Sequence, residues 1–252
     1  MNRAYFRFYA ELNFFLPAHR QQVTFVHEFE GRASIKDTIE SLGVPHTEVE
    51  LILVNGEPVD FSYIVADGDD CSVYPVFESL DISPALRLRP QPLRKTRFVL
   101  DVHLGKLANL LRMLGFDSLY RNDYPDEELA EISSSEGRIL LTRDTGLLKR
   151  SIVTHGYYVR DTNPRRQLIE VLRRFDLFSS IAPFCRCVRC NVLLEAVPKE
   201  AIVDRLPIKS RDVYDEFSRC PSCEQIFWKG THYERMQEFI AGILQESSTG
   251  AG

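Results

Sequence analysis

Alternation of apolar and polar residues opens the chain and predicts strands. "YFRFYAELNFF" has the two-residue period of a half-buried strand, and "QQVTFVHEFE" predicts a second strand that pairs with it. "ASIKDTIESLGV" repeats apolar residues at helical spacing and ends near a glycine. Two more strands are predicted in "VELILVNGEPV", which carries an Asn55-Gly56 turn signal, and in "GDDCSVYPVF". The order strand, strand, helix, strand, strand predicts a β-grasp domain over residues 1–78.

The middle of the chain, residues 97–182, changes to strands that alternate with helices. The predicted order is "RFVLD" strand, "LGKLANLLRMLGF" helix, "DSLYRN" strand, "PDEELAEISSSEG" helix, "RILLT" strand, "TGLLKRSIVTHG" helix, "YYVR" strand and "NPRRQLIEVLRRF" helix. Such alternation predicts a parallel sheet with helices on both faces. None of these strands is followed by a glycine-rich phosphate loop, so a dinucleotide site has no support.

Proline and cysteine mark the remaining boundaries. Residues 79–96, "SLDISPALRLRPQPLRKT", predict a basic, semi-extended linker, and contact of this linker with RNA is the less favoured alternative. A cysteine-containing segment over 183–245 predicts a zinc-ribbon domain, and we expect 246–252 to be a disordered tail.

Composition and charge narrow the class of protein. The chain is 44% hydrophobic and 27% charged, as in soluble globular proteins. No apolar run approaches the roughly 20 residues of a membrane span, and the N-terminus lacks the order of a signal peptide, so we expect a cytoplasmic protein with no membrane partner. The net charge of -5 is uneven. Residues 1–80 hold 5 Lys and Arg against 13 Asp and Glu, whereas the rest holds 26 against 23, which leaves nucleic-acid binding open.

Aspartates follow the predicted strands of the middle segment. Asp101 ends "RFVLD", Asp144 follows "RILLTR", Asp161 follows "YYVR", and Asp126 opens a predicted helix. The carboxyl ends of strands in an open α/β sheet line the crevice where ligands bind. Carboxylates crowded there need cations, and hard oxygen ligands favour Mg²⁺ or Mn²⁺, which can activate water for phosphodiester hydrolysis. We predict four catalytic acids, three of which (Asp101, Asp126 and Asp144) hold the metal.

Each aspartate also has a purely structural explanation. Three of them precede helices, where an N-cap is worth about 1 kcal/mol, and Asp126 can complement a helix dipole. Nearby acids are alternative ligands: Asp123, Glu127 and Glu128. The coincidence of four aspartates at one sheet edge favours the metal site.

Two C-x-x-C pairs predict a structural metal site. Cys187 and Cys190 are separated from Cys220 and Cys223 by 29 residues, which is compatible with a ribbon that carries an extended excursion. Four thiolates make a closed tetrahedral Zn²⁺ site with no open position, so the zinc should be structural. Cys185 is an alternative ligand that we do not favour, and we expect Cys71 to be a small core residue.

The first segment resembles the ubiquitin-like sulfur carriers of the ThiS and MoaD type. Their pattern is matched by Val54-Asn55-Gly56, Asp67-Gly68-Asp69 and Pro75. Those carriers end in Gly-Gly, whereas this segment continues through "PVFESL", so sulfur carriage is not expected. A role in docking a protein partner and a role as a stabilising cap remain equal alternatives.

The remainder resembles the PIN-like ribonucleases named for the Mut-seven C-terminal domain, some of which carry a ubiquitin-like front. The resemblance rests on "FVLDVHLGKLANLLRMLGFDSLYRNDYPDEELAEISSSEGRILLTRDTGLLKR" and on the later "CVRC" and "CPSCEQIFWKGTHYERM". It implies a PIN-like α/β domain between a β-grasp domain and a zinc ribbon. It also implies metal-dependent RNA cleavage that leaves a 5′-phosphate and a 3′-hydroxyl. Asp101, Asp126 and Asp144 match the family pattern, and Asp161 matches it less closely.

Two groups of residues are predicted to contact substrate. Basic residues near the acids can meet phosphates, although a solvated helix face explains each one alone. These are Lys106, Arg112, Arg143 and Lys149. In the last segment, aromatic residues interleaved with basic ones suit base stacking and phosphate contact, and packing of Trp228 on the ribbon is an equal alternative. The predicted contacts there are Trp228, His232 and Tyr233, with Lys229 and Arg235 beside them.

The function predicted from the sequence is that of a metal-dependent endoribonuclease. Its cofactors would be catalytic Mg²⁺ or Mn²⁺ and structural Zn²⁺, and its substrate would be RNA, such as tRNA or another structured RNA. A protein partner of the ubiquitin-like domain is a further expectation. The alternative is a catalytically inactive adaptor that binds RNA or docks a partner.

Overall fold

The computed structural model describes residues 1–75 and 96–249. Residues 79–95 of the predicted linker lie outside the described residues. The chain divides into two compact units: the first takes in residues 1–103 and 122–159, and the second takes in 104–121 and 160–252. The predicted domain 97–182 therefore contributes to both units, and its bounds stay a prediction.

The first unit begins with a five-stranded sheet. Its strands are β1 (Asn2–Phe8), β2 (Phe25–Phe29), β3 (Val49–Val54), β4 (Glu57–Val59) and β5 (Asp70–Pro75), with helix α1 (Ile35–Ser41) between β2 and β3. The strand order is β2-β1-β5-β3-β4, in which β1 and β5 are parallel and the other pairs antiparallel. Ile35 and Ile39 of α1 are fully buried against the sheet, as their spacing predicted. The β-grasp order is confirmed.

One predicted strand is shorter than expected. The alternating stretch 5–15 remains a strand only to Phe8, after which Ala10–Phe15 forms a 3-10 helix. The Asn13 side-chain amide donates to the carbonyl oxygens of Phe8 (3.0 Å) and Ala10 (2.9 Å). These two bonds hold the tighter turn, and they bury Leu12 in the core.

Strands and helices then alternate as predicted. They are β6 (Phe98–Leu100), α2 (Gly105–Met113), β7 (Ser118–Leu119), α3 (Asp126–Glu136), β8 (Ile139–Thr142), α4 (Thr145–Leu148), β9 (Gly156–Tyr158) and α5 (Pro164–Arg174). In the first unit β6, β8 and β9 form a parallel sheet, with Leu100 opposite Leu141 and Thr142 opposite Tyr158. Helices α3 and α4 pack on these strands. The α/β class is confirmed.

Helix α4 is shorter than "TGLLKRSIVTHG" predicted. It ends at Leu148, and the chain turns through Lys149, with the backbone N–H of Val153 donating to the Arg150 carbonyl (3.0 Å). The β-branched residues that follow favour extended backbone and carry the chain directly into β9.

The second unit combines helices with a small sheet. Its further elements are β10 (Glu195–Val197), α6 (Ile208–Arg211), β11 (Phe217–Arg219), β12 (Ile226–Trp228) and α7 (Thr231–Thr249). The three strands are antiparallel in the order β10-β11-β12. Helix α7 includes residues 246–249, so the predicted disordered tail was wrong there. No helix in the described ranges has the length and hydropathy needed to cross a membrane.

Candidate active site and metal centre

A hydrogen bond joins the carboxyl ends of two neighbouring strands. Asp101 directly follows β6, and its backbone N–H donates to the Leu141 carbonyl of β8 (3.1 Å). The next residue of β8, Thr142, is fully buried, and its hydroxyl donates to Asp101 Oδ2 (2.7 Å). The parallel register of β6 and β8 therefore places the Asp101 carboxylate beside the last residue of β8.

Asp144 belongs to the same hydrogen-bonded group. Its backbone N–H donates to the hydroxyl oxygen of Thr142 (2.9 Å), and its own carboxylate accepts from the Gly146 backbone N–H (2.7 Å). Asp144 thus caps α4, as one of the structural explanations predicted, and its side chain is solvent-exposed. Thr142 links the two aspartates, since one hydroxyl donates to Asp101 and accepts from Asp144.

The Asp101 carboxylate has an unusual electrostatic environment. Asp101 is only 6% exposed. Among the residues that the structure describes, the Thr142 hydroxyl is its hydrogen-bond partner, and no Lys, Arg or His nitrogen lies within 4.0 Å of it. Buried carboxylates are normally paired with a cation or bound to a metal, because an unpaired buried charge is costly. Asp101 is therefore the acid of this site best suited to a bound cation.

Acids also gather at the start of α3. Asp126, Glu127 and Glu128 lie in its first turn, where the helix dipole favours negative charge. Arg150, just after α4, pairs with Glu127 (2.8 Å) and lies 4.0 Å from Asp126 Oδ2. The backbone N–H of Glu127 and then the Arg150 guanidinium lower the pKa of the Glu127 carboxyl. Arg150 therefore ties the start of α3 to the end of α4.

The predicted acids do not converge as closely as the cysteines do. The described part of the chain contains one group of at least three side chains that could hold a metal ion together. That group consists of cysteines, and its sulfur atoms lie within 4.8 Å of one another. Asp101, Asp126 and Asp144 share the first unit without forming such a group. Their joint role in metal binding stays a prediction.

Asp161 lies in the second unit and has local partners. Its carboxylate accepts from the Asn163 backbone N–H (2.7 Å) and lies 4.0 Å from Arg166. The predicted N-cap role of Asp161 was wrong, because Asn163 caps α5 by accepting from the N–H groups of Arg165 and Arg166. The catalytic role of Asp161 stays untested.

The cysteine cluster is the clearest candidate metal centre. The four sulfur atoms of Cys187, Cys190, Cys220 and Cys223 lie within 4.8 Å of one another, and those of Cys187 and Cys223 are 3.7 Å apart. Sulfurs of a tetrahedral zinc site with bonds of about 2.3 Å are separated by about 3.8 Å, so the thiols fit Zn²⁺. Cys185 is not in the group, and its thiol instead donates to the Ala182 carbonyl. Cys71 is a fully buried core residue, as expected.

Both cysteine pairs lie on tight turns of the same kind. The residue after each second cysteine has a left-handed backbone, with φ of 67° at Asn191 and 60° at Glu224. Its N–H donates to the carbonyl of the first cysteine, at 2.9 Å in both turns. The Gln225 backbone N–H and then the Cys190 thiol lower the pKa of the Cys223 thiol to about 7, whereas burial raises the pKa of the Cys190 thiol to about 12, so Cys223 ionises more readily than Cys190.

Family models match both parts of the chain. The model described as Mut7-C ubiquitin matches residues 1–81, and the model described as Mut7-C RNAse domain matches residues 96–240. The chain belongs to the Mut7-C RNAse domain family. The resemblance predicted from the sequence is confirmed. Comparison with curated proteins and with solved structures found no match.

Arg112 is not placed to meet a phosphate of a substrate of this Mut7-C RNAse domain. It is 3% exposed, and its guanidinium donates to the carbonyls of Val188 (3.0 Å), Arg189 (3.1 Å) and Ser118 (2.8 Å). The first two carbonyls belong to the first cysteine turn. The predicted substrate contact was therefore wrong, because α2 aims this side chain at the first cysteine turn.

Two other predicted phosphate contacts have partners within the first unit. Lys149 Nζ donates to the Glu40 carbonyl in the ubiquitin-like domain (2.7 Å), and Arg143 donates to the Val159 carbonyl (2.8 Å). Lys106 is exposed on α2. A substrate contact by each of these residues stays untested.

The aromatic residues of the last segment pack on the protein. Trp228 lies against the ribbon core of Ile202, Leu206, Phe217 and Ile226, which supports the packing alternative. Tyr233 contacts Phe184, with ring centroids 4.2 Å apart. The side chain of His232 lies outside the described part of the structure.

Sequence reasoning missed Thr142 and Arg150. A threonine at the end of a buried strand is an ordinary residue in sequence, and its importance follows from the register that places it opposite Asp101. A hydroxyl two residues before a capping aspartate is the local signal that could have identified it.

Proposed function

We propose that this chain is a metal-dependent endoribonuclease that hydrolyses RNA phosphodiester bonds at the edge of the parallel sheet carrying Asp101 and Asp144. The observation that supports this most is the buried Asp101 carboxylate, which accepts a hydrogen bond from Thr142 and has no cationic partner among the described residues. The family match supplies the reaction class.

The donor atoms fit a hard divalent cation. Asp101 and Asp144 offer carboxylate oxygens on either side of Thr142, and Asp126 is the proposed third ligand. Such oxygens suit Mg²⁺ or Mn²⁺. When bound, the ion would activate a water molecule and stabilise the leaving oxygen. The four cysteines would hold a structural Zn²⁺.

The protein's own residues prepare the site. The Thr142 hydroxyl donates to Asp101 Oδ2 and thereby fixes the orientation of that carboxylate. The cap on α4 uses Asp144 Oδ1, and Asp144 as a whole is exposed. Arg150 keeps the acids of α3 next to α4 and limits their mutual repulsion.

The proposed substrate is RNA, and the proposed products carry a 5′-phosphate and a 3′-hydroxyl. We also propose that the ribbon contacts RNA. The ribbon has a structural role as well, because the buried Arg112 donates to carbonyls of its first cysteine turn. The ubiquitin-like domain is proposed to act with the nuclease sheet, as argued below.

The experiment is cleavage of 5′-labelled cellular RNA by zinc-loaded protein in Mg²⁺ or Mn²⁺. We expect Asp101→Asn and Asp144→Asn to lower the rate by at least about 100-fold. The matched control is Asp215→Asn, which removes a carboxylate that is 90% exposed in the second unit. Cleavage by Asp101→Asn at the wild-type rate, or wild-type cleavage without divalent ions, would contradict the proposal. Binding of RNA without cleavage would instead favour the adaptor.

A further inference from the structure

Three consecutive polar residues of the ubiquitin-like domain are buried, and two of them have hydrogen-bond partners outside that domain. His46, Thr47 and Glu48 form a 3-10 turn after α1, and their exposed fractions are 7%, 1% and 0%. Buried polar side chains are normally satisfied by specific partners. The turn packs against β9 of the nuclease sheet, within the same compact unit.

Glu48 binds the outer edge of β9. The Val159 N–H points toward β8, where it donates to the Thr142 carbonyl (2.8 Å), so the neighbouring Tyr158 N–H points away from β8. That N–H donates to Glu48 Oε1 (2.7 Å). The rings of Phe14 and Phe15 lie on the Tyr158 ring, with centroids 5.5 Å away in both cases. The ubiquitin-like domain therefore satisfies and covers the edge of this strand.

A second contact holds the turn after α4. His46 Nε2 lies 2.9 Å from the Val153 carbonyl oxygen, and its Nδ1 lies 2.5 Å from Glu40 Oε1. Lys149 donates to the Glu40 carbonyl (2.7 Å). The end of α4 is thus anchored from the ubiquitin-like domain at two points.

Both anchored segments lead directly to the candidate acids. Val159, the residue directly after β9, donates its backbone N–H to the carbonyl of Thr142, whose hydroxyl donates to Asp101. Helix α4 begins at its cap, Asp144, and is followed by Arg150, which pairs with the acids of α3. A shift of either segment would therefore move the catalytic carboxylates.

We propose that the ubiquitin-like domain is an in-cis positioning element of the nuclease, and that Glu48 and His46 are positioning residues that hold β9 and α4 in the geometry needed for cleavage. The proposal rests on the proposed function, and it deepens it by assigning the domain a partner, the β9 edge of its own chain. This role differs from both roles considered from the sequence, a module that docks a separate protein and a cap that only stabilises the chain.

The test uses the full chain with Glu48→Leu, which removes the acceptor, and Glu48→Gln, which keeps an acceptor oxygen. Glu57→Leu is the matched control, because Glu57 is exposed on β4. Amide hydrogen exchange at Tyr158 and Thr142 and the kcat and KM for RNA cleavage are measured for each protein. An unsatisfied buried N–H raises local opening about 10- to 100-fold.

We expect Glu48→Leu to speed exchange by that factor at Tyr158 and at Thr142, and to lower kcat at least about tenfold with KM and zinc content unchanged. Glu48→Gln should keep most of the exchange protection and most of the wild-type kcat. An unchanged kcat would overturn the proposal, as would faster exchange spread evenly over the whole chain. If the wild type does not cleave RNA, the proposed function fails. The exchange data for Glu48→Leu then test the positioning role separately. Faster exchange at Tyr158 alone would refute that role, whereas faster exchange at both Tyr158 and Thr142 would support it.

Discussion

Replacing Thr142 with valine tests the hydrogen-bonded group of the candidate active site. Valine has nearly the same shape, so the change removes the hydroxyl without creating a large cavity. Two hydrogen bonds disappear, the one donated to Asp101 Oδ2 at 2.7 Å and the one accepted from the Asp144 N–H at 2.9 Å. Because Thr142 is fully buried, water cannot replace them.

The size of the effect follows from these two bonds. A hydrogen bond to a charged group contributes about 1.5–3 kcal/mol and a neutral one about 0.5–1.5 kcal/mol, so Thr142→Val should cost roughly 2–4 kcal/mol. For a chain of this length each kcal/mol lowers Tm by about 2–4 °C, which gives a loss of roughly 5–15 °C. Misplacement of Asp101 should also lower kcat for RNA by about 10- to 100-fold.

The assay is calorimetry together with RNA cleavage, and Thr142→Ser is the matched variant. Serine keeps the hydroxyl and removes one methyl group, so it should cost only about 1 kcal/mol and preserve most of the cleavage rate. A Thr142→Val protein that is as stable as the wild type, or more stable than Thr142→Ser, would refute the reasoning.

Four further outcomes are expected. Mn²⁺ at 100 times its Kd should stabilise the wild type by about 2.7 kcal/mol, which calorimetry would detect as a higher Tm. The Tm of Asp101→Asn should not rise with Mn²⁺. Cys220→Ser should lose zinc by elemental analysis, whereas Cys185→Ser should retain it. Arg112→Leu should release zinc to a chelator faster than wild type, because two carbonyls of the first cysteine turn lose their donor. Burial raises the pKa of the Cys71 thiol from 9.0 to about 12, so the stability that Cys71 contributes is complete below about pH 9 and is lost as the pH rises toward 12. Urea unfolding at pH 8 and 10 should show this loss in wild type and a smaller one in Cys71→Ala.

The sequence by itself determined the order of elements and the family to which the chain belongs. The two-residue period of the first segment and the strand–helix alternation of the second are local properties, because they depend on which face of a strand or helix is buried. The grouping of the four cysteines was also readable from spacing alone, since each C-x-x-C pair lies on a single turn. Asp101 and Asp144 were singled out because each lies within two residues of the end of a buried strand.

Only the tertiary structure decided which polar residues are buried and what they hold. Arg112 was predicted to face a substrate, yet it binds carbonyls more than 70 residues away in sequence. The polar run at His46 and Glu48 has no local signature of burial, because it also contacts Val153 and Tyr158, which lie more than 100 residues away in sequence. Thr142 acquires its role from strand register. Periodicity describes the surface of one element, whereas these contacts depend on the partner surface, which is formed by residues distant in sequence.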